Sequence, residues 1–180
     1  MEIRPFASAD LDAVVRVWHA AKREAYGFLA QEQGRTLEED RAFFSSRIAP
    51  RCALWVAVER ASAPRGFLAL AGSYLDRLYV HPGGQRRGVG SALLRHAMAL
   101  SPAGLELHTH QRNHRGRAFY AKHALRASAL RREPAARERA GHRVPLAARL
   151  EEVSAIGGLA TDPQGPTSEP GSSWVMLLRP

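Results

Sequence analysis

The 180-residue sequence contains a single cysteine and no long apolar run. Cys52 is the single cysteine, so the chain cannot form an internal disulfide, which is typical of a reducing cytoplasm. No apolar run approaches the roughly 18–20 residues that a membrane-spanning helix needs. The opening residues Met1–Pro5 lack the charged-then-apolar pattern of a secretion signal. We therefore expect a cytoplasmic protein without a membrane partner.

Lysine is also scarce, although the chain is strongly basic. Lys22 and Lys122 are the two lysines among 26 basic residues, and the formal net charge is +9. Such a charge suits nucleic acid, an anionic nucleotide ligand or simply solubility. No zinc-finger spacing, recognition helix or RNA-stacking pattern accompanies it, so we do not expect a nucleic-acid partner. The length and the 45% of hydrophobic residues suit a single globular domain.

Strand and helix patterns alternate along the first two-thirds of the chain and predict an α/β domain. Apolar residues recur at helical spacing from Ala9, with Ser8 as the expected N-cap. The spacing of Thr36-Leu37-Glu38-Glu39 is that of a capping box, so a second helix should start there and run to Ile48. The other expected helices are residues 90–100 and 115–123, and the expected strands are residues 2–5, 54–58, 66–74, 75–80 and 105–109.

The segment Leu78–Leu94 joins a strand to an apolar helix through a loop rich in glycine and arginine. The first N–H groups of a helix have no partner within the helix and carry positive partial charge, so this junction can hold an anion. Gly88 and Gly90 let the backbone approach a ligand closely. Arg86 and Arg87 add positive charge, which favours a phosphate or diphosphate as the ligand. The loop lacks the Gly-Lys-Ser/Thr ending of a P-loop, and no dinucleotide-binding fingerprint is present.

Two motifs, in order, resemble the GNAT superfamily of acyl-CoA-dependent N-acetyltransferases. The first is the Gln-x-x-Gly-x-Gly signature at Gln85–Gly90, preceded by the strand Leu78–Val80 and by His81-Pro82. The second is the segment Gln111–His123. The resemblance covers about residues 1–123. It implies an α/β fold with a mixed, twisted sheet of about six or seven strands, helices on both faces, and a cleft where two central strands separate.

The same resemblance implies a donor site for acetyl-CoA. Amides of the loop would hold the pyrophosphate, the end of the preceding strand would pair with the pantetheine arm, and the Val80 amide would polarise the thioester carbonyl. Asn113 would contact the cofactor arm, and Tyr120, a phenol that is protonated at neutral pH, would protonate the departing thiolate. We expect direct attack by the amine in a ternary complex. The expected cofactor-binding residues are Leu78, Tyr79, Val80, Gln85, Arg86, Arg87, Gly88, Val89, Gly90, Ser91 and Asn113.

The acceptor side is defined less sharply. The family's first helix and following loop usually line the acceptor pocket, and here they contain Trp18, Tyr26 and Phe28 as expected substrate contacts. Asp76 and Glu24, or a water chain leading to either, are the candidates for the base that takes the amine proton. The expected acceptor is the primary amine of a small molecule or a peptide. A non-catalytic acyl-CoA-binding or regulatory module is the alternative function.

Histidines are frequent around the second motif. His108, His110 and His114 are close in sequence, but strand alternation places only the first two on one polar face. Two histidines do not complete a tetrahedral zinc site. We therefore expect no metal ion.

The character of the sequence changes after His123. The family usually ends the second motif with Gly-Phe, where this chain has Ala124-Leu125, and we expect residues 124–180 to be an atypical C-terminal segment outside a 1–123 core. Within that segment, Trp174–Leu178 resembles a last strand. An exposed final strand would favour a homodimer.

A shift of the reading frame between Ala124 and Ala140 would explain this departure. Read one base later, GC-rich codons for Ala140–Leu150 can spell Pro-Asp-Ile-Ala-Tyr-Arg-Trp-Arg-Pro-Gly and then a stop, which resembles a family C-terminus. We expect resequencing of the source gene to reveal the shift. An unbroken frame through codon 150 in the natural copy would contradict the hypothesis.

Overall fold

The computed structural model describes residues 1–59, 62–123, 126–128 and 173–178. Its strands are β1 (Glu2–Pro5), β2 (Ala53–Val58), β3 (Gly66–Ala71), β4 (Tyr74–Val80), β5 (Leu105–His110), β6 (Arg126–Ser128) and β7 (Ser173–Leu178). Its helices are α1 (Leu11–Tyr26), α2 (Leu37–Phe43), which continues as a π-helical turn over Phe44–Ile48, α3 (Val89–Leu100) and α4 (His114–Lys122). In this described part of the chain, no helix combines the length and the apolar character needed to cross a membrane.

The strands form one mixed sheet in the order β1-β2-β3-β4-β5-β7-β6. Neighbouring strands run antiparallel, except for β4 and β5, which are parallel. Parallel neighbours need a crossover connection, and α3 supplies it between these two strands. Residues 1–123 contribute five strands, fewer than the six or seven expected, and the C-terminal segment contributes β6 and β7. The predicted mixed α/β sheet is confirmed.

Helices cover both faces of the sheet, as predicted. On one face, α3 packs through a buried cluster that includes Leu93 and Leu107. On the other face, α1 and α2 pack through a cluster that includes Val14, Phe44 and Phe67. Each such side chain stabilises the fold by about 1.5–3 kcal/mol when fully buried, so the two clusters hold the three layers together.

The start of α1 differs from the prediction. Ser8 is not an N-cap but the first residue of a 3-10 turn that ends at Asp10, whose carboxylate accepts a hydrogen bond from the Ala7 N–H at 2.8 Å. The capping box of α2 is confirmed. Thr36 Oγ1 accepts from the Glu39 N–H at 3.2 Å, and the Glu39 carboxylate accepts from the Thr36 N–H at 2.7 Å.

The two parallel strands separate at the centre of the sheet. In the described residues, β4 and β5 pair at one position, Tyr74 with Glu106. The register between β3 and β4 then shifts by one residue, so that Asp76 forms a bulge in β4. A bulge bends its strand and increases the local twist. A cleft therefore opens between β4 and β5 beyond Tyr74, where the family fold implies one.

The final strand is not an edge of the sheet. β7 pairs with β5 on one side and with β6 on the other. The sequence pattern predicts no strand at Arg126–Ser128, yet this short strand covers the side of β7 that was expected to be exposed. The homodimer argument from an exposed last strand is therefore wrong, and the homodimer itself stays a prediction. Ala124-Leu125 and Ala140–Leu150, which bear on the frame-shift hypothesis, lie outside the described residues.

A buried cluster of charged side chains ties α1 to α2. Fully buried Asp40 accepts hydrogen bonds from Lys22 Nζ at 2.8 Å, His19 Nδ1 at 2.7 Å and Arg35 Nε at 3.0 Å. Lys22 Nζ also donates to the Glu32 carboxylate at 2.8 Å. Burial alone would raise the pKa of Asp40, but the hydrogen bonds from Lys22 and His19 outweigh it and hold the pKa below its ordinary value.

Replacing Asp40 with alanine should lower the free energy of unfolding by about 3 kcal/mol at pH 7, because the buried cations lose their shared partner. Since the folded-state pKa of Asp40 is lowered, its stabilisation should be present above the ordinary carboxyl pKa and lost as the pH falls through the lowered pKa. Urea unfolding at several pH values measures both effects.

The matched control is Asp12→Ala. Asp12 accepts from Arg41 Nε at 2.9 Å and joins the same two helices at the surface, so its loss should change the free energy of unfolding far less. An equal decrease in the free energy of unfolding for the two variants would contradict the claim that the buried cluster stabilises the fold more than the surface ion pair does.

Candidate active site

The cleft exposes backbone donors of β4. The His81 N–H donates to the Arg65 carbonyl on the β3 side of the strand at 2.8 Å. Because successive N–H groups of an antiparallel strand point to alternate sides, those of Leu78 and Val80 point away from β3. β5 has already separated from β4 at this level. These two N–H groups therefore face the cleft.

The loop between β4 and α3 has the geometry of an anion site. Arg86 and Gly88 have positive φ angles of 62° and 83°, so the backbone passes twice through the left-handed region before α3 begins at Val89. Turns of this kind direct successive N–H groups into one concavity. The Ala92 N–H donates to the Gly88 carbonyl at 3.0 Å, whereas the N–H groups before it have no acceptor within the helix. With Arg86 and Arg87 exposed beside it, this loop fits a diphosphate.

The two glycines of the loop have different surroundings. A Cβ at Gly88 would meet no atom within 4 Å, so its positive φ is the reason for glycine there. A Cβ at Gly90 would lie 3.4 Å from the Phe119 ring and 3.6 Å from the Val80 side chain. These are ordinary van der Waals distances, so Gly90 lies where the start of α3 contacts α4, and its expected role in close approach to a ligand stays a prediction.

Side chains of the loop are held by neighbouring elements. Glu24, near the end of α1, accepts from Gln85 Nε2 at 2.8 Å and from the Arg115 guanidinium on α4. Ser91 Oγ, in the first turn of α3, is hydrogen-bonded to His123 Nε2 at 3.0 Å. Since Gln85 and Ser91 contact protein groups, the anion-site geometry lies in the backbone of the loop.

Tyr79 and Tyr120 each lie close to other tyrosines of the chain. Burial raises the pKa of Tyr120 above its usual value, and the neighbouring Tyr26 and Tyr74 add to the rise. Burial likewise raises the pKa of Tyr79. The raised pKa keeps the phenol protonated at neutral pH, as the expected acid role of Tyr120 requires, although it also makes the phenol a weaker proton donor.

The anion loop and the second motif lie in a segment that matches a known domain. Residues 50–123 match the family described as acetyltransferase (GNAT) domain. The peptidyl-lysine N-acetyltransferase YjaB of Salmonella typhimurium is 30% identical over 122 residues, which cover 68% of this chain and 81% of that protein. This chain belongs to the GNAT acetyltransferase family. It is therefore an enzyme of acetyl transfer, and the alternative of a non-catalytic module is not supported.

Solved structures share the GNAT fold. The solution structure of apo-form YjaB from Escherichia coli has a TM-score of 0.61 at 27% identity, over 71% of this chain and 84% of that chain. The PaiA N-acetyltransferase of Thermoplasma acidophilum, in complex with coenzyme A, has a TM-score of 0.61 at 18% identity, over 99% of this chain and 98% of that chain.

Asn113 begins the second GNAT motif as the N-cap of α4. Its Oδ1 accepts from the Gly116 N–H at 2.9 Å. Its Nδ2 donates to the Tyr26 hydroxyl at 3.0 Å and to Thr109 Oγ1 at 3.3 Å. The side chain therefore links the end of α1 to the junction of β5 and α4, and its contact with the cofactor arm stays a prediction.

Both carboxylates predicted as the base of this GNAT enzyme are paired with arginine. Asp76 Oδ2 lies 3.2 Å from the Arg77 guanidinium. Glu24 is held by Gln85 and Arg115, as described above. Apart from their positions, nothing in the structure supports either carboxylate as the base, and both roles stay predictions.

The predicted substrate contacts have different environments. Trp18 is 3% exposed, its ring centroid lies 5.9 Å from that of Phe44, and the Lys22 ammonium lies 4.4 Å from its ring. This burial favours a packing role over the predicted substrate contact. Tyr26 and Phe28 are half-buried at the end of α1 and in the following loop, with ring centroids 6.4 Å apart. These two residues remain positioned to line an acceptor site.

A histidine–tyrosine pair lies where the strands separate, and the sequence pattern does not reveal it. His108 Nδ1 is hydrogen-bonded to the Tyr74 hydroxyl at 2.8 Å. Burial lowers the pKa of His108, so its imidazole is neutral at pH 7. Strand alternation indicates the face on which His108 lies, but only the pairing of β5 with β4 brings Tyr74 to it. Among the described residues, no group of three or more His, Cys, Asp or Glu side chains could hold a metal ion.

Proposed function

We propose that this GNAT enzyme transfers the acetyl group of acetyl-CoA to the amino group of a lysine side chain in a peptide or protein. The separation of β4 from β5, directly before an anion loop, carries this proposal. The peptidyl-lysine N-acetyltransferases of Salmonella typhimurium and Escherichia coli support the acceptor class. A small-molecule amine is the alternative acceptor. Residues 1–123 would carry the donor site and the catalytic groups, and the enzyme would act in the cytoplasm.

The donor would bind along the end of β4 and the loop that follows it. The N–H groups of residues 86–91 would hold the diphosphate, whereas the Gln85 N–H already donates to the Pro82 carbonyl at 3.3 Å, and Arg86 and Arg87 would add charge. The backbone at the end of β4, including the Leu78 N–H, would pair with the amide groups of the pantetheine arm, as an added strand pairs with an unpaired edge. Acetyl-CoA supplies the thioester, and the Val80 N–H would polarise its carbonyl oxygen.

Tyr120 would act as the general acid. The amine nitrogen forms its bond to the carbonyl carbon, the electron pair of the carbon–sulfur bond leaves with sulfur, and the Tyr120 proton neutralises the thiolate. Because burial raises the pKa of Tyr120, the phenol carries this proton at neutral pH.

Tyr120→Phe should lower kcat with a lysine peptide by about 100-fold or more, because the thiolate must then leave without a proton. Release of free thiol from acetyl-CoA measures turnover, and calorimetry with coenzyme A should give a Kd within about twofold of the wild-type value, since no donor-binding contact is removed. An unchanged kcat would exclude the acid role. Absence of thiol release by the wild-type enzyme with every lysine peptide would contradict the proposed acceptor.

The attacking amine must lose a proton, and His108 with Tyr74 is the group that we assign to this step. A neutral imidazole accepts a proton near pH 7, whereas Asp76 and Glu24 are held by arginines. Tyr74 can take the amine proton on its oxygen while its own proton crosses the 2.8 Å bond to His108 Nδ1.

His108→Asn should lower kcat/KM at pH 7 by about 100-fold, because an asparagine amide can keep the bond to Tyr74 but cannot take a proton. Asp76→Asn and Glu24→Gln should lower it far less. For the wild-type enzyme, kcat/KM should fall as the pH drops through the pKa of His108, which burial places below its ordinary value against the opposing effect of Glu106. A loss in either carboxylate variant as large as that in His108→Asn would contradict this assignment.

A further inference from the structure

Both donor protons of the Asn113 side chain are engaged within the protein. Nδ2 donates one to the Tyr26 hydroxyl at 3.0 Å and the other to Thr109 Oγ1 at 3.3 Å. Oδ1 accepts from the Gly116 N–H at 2.9 Å. Because a backbone N–H can only donate, this last bond fixes Oδ1 toward Gly116 and therefore turns Nδ2 toward Tyr26.

A glycine within α4 makes room for the folded-back amide. A Cβ at position 116 would lie 2.5 Å from Asn113 Nδ2 and 2.9 Å from its Cγ. Glycine is one of the weakest helix formers, and here it stands in a helix of nine residues. The space needed by Asn113 therefore accounts for Gly116 better than helix formation does.

The direction of the Asn113–Tyr26 bond determines where the tyrosine proton can go. Since Tyr26 accepts through its oxygen, its own O–H proton must point elsewhere. No acceptor for that proton occurs among the described residues. Tyr26 is half-buried at the end of α1, close to Tyr120, so a ligand between these elements would meet a donor there.

We propose that Tyr26 is a substrate-contacting residue that donates its hydroxyl proton to a backbone carbonyl of the peptide acceptor, and that Asn113 is the positioning residue that aims it. The inference rests on the proposed peptide acceptor. A donor aimed at the attacking nitrogen would occupy the lone pair that must react, whereas a carbonyl oxygen can only accept. This role competes with a cofactor contact in which Asn113 donates, since both Nδ2 protons are engaged, whereas Oδ1 keeps one lone pair that can still accept.

Tyr26→Phe and Asn113→Ser test the proposal. Serine is as good an N-cap as asparagine, so α4 keeps its cap, but the side chain is too short to reach Tyr26. Each variant should raise KM for a lysine peptide by about tenfold, the loss of one hydrogen bond in a desolvated site, and leave kcat within about threefold. The double variant should be no worse than either single one, because both remove the same donor.

Calorimetry with coenzyme A separates this role from a cofactor contact. Its Kd should stay within about twofold of the wild-type value in both variants, since under this proposal the Nδ2 protons of Asn113 bind Tyr26 and Thr109 and not the cofactor arm. A tenfold weaker Kd in Asn113→Ser, or an unchanged peptide KM in Tyr26→Phe, would overturn the proposal. A wild-type enzyme that binds coenzyme A but acetylates no lysine peptide would instead overturn the proposed function on which it rests.

Discussion

The site depends on one constraint in the sheet: two parallel strands that pair at Tyr74 and Glu106 and then separate. Asp76 produces the separation, because the bulge turns β4 away from β5. An unpaired strand edge in the centre of a sheet leaves backbone donors that need partners. In this GNAT enzyme those donors belong to Leu78 and Val80, and the strand leads directly into the anion loop. The bulge in β4 and the proposed donor site are thus the same feature.

The end of α1 connects the two sides of the cleft. Glu24 contacts the anion loop and α4, Tyr26 contacts Asn113, and the Phe28 ring lies 5.2 Å from that of His110 on β5. The buried cluster around Asp40 binds His19 and Lys22 in the same half of α1 and so holds this part of the helix against α2. The segment expected to face the acceptor is therefore anchored to the elements expected to face the donor. A substitution on the acceptor side of the cleft should therefore alter the geometry of the donor side.

Local patterns predicted the features that lie within one stretch of chain. The anion loop, the capping box at Thr36 and the order of strands and helices all follow from glycine placement, cap residues and periodicity. Features that depend on contacts between distant stretches were not predictable in this way. The bulge at Asp76 needs the register with β3, the contact at Gly90 needs Phe119, and the pairing of His108 with Tyr74 joins residues 34 positions apart.

Amide hydrogen exchange, with and without coenzyme A, tests the central claim most directly. Leu78 and Val80 should exchange fast in the free protein and slow markedly when the ligand saturates it, because their N–H groups then gain acceptors. Tyr79, whose N–H points toward β3, is the internal control and should be slow in both states. Equal protection of all three amides in the free protein, or no slowing at Leu78 and Val80 when coenzyme A is bound, would contradict the account.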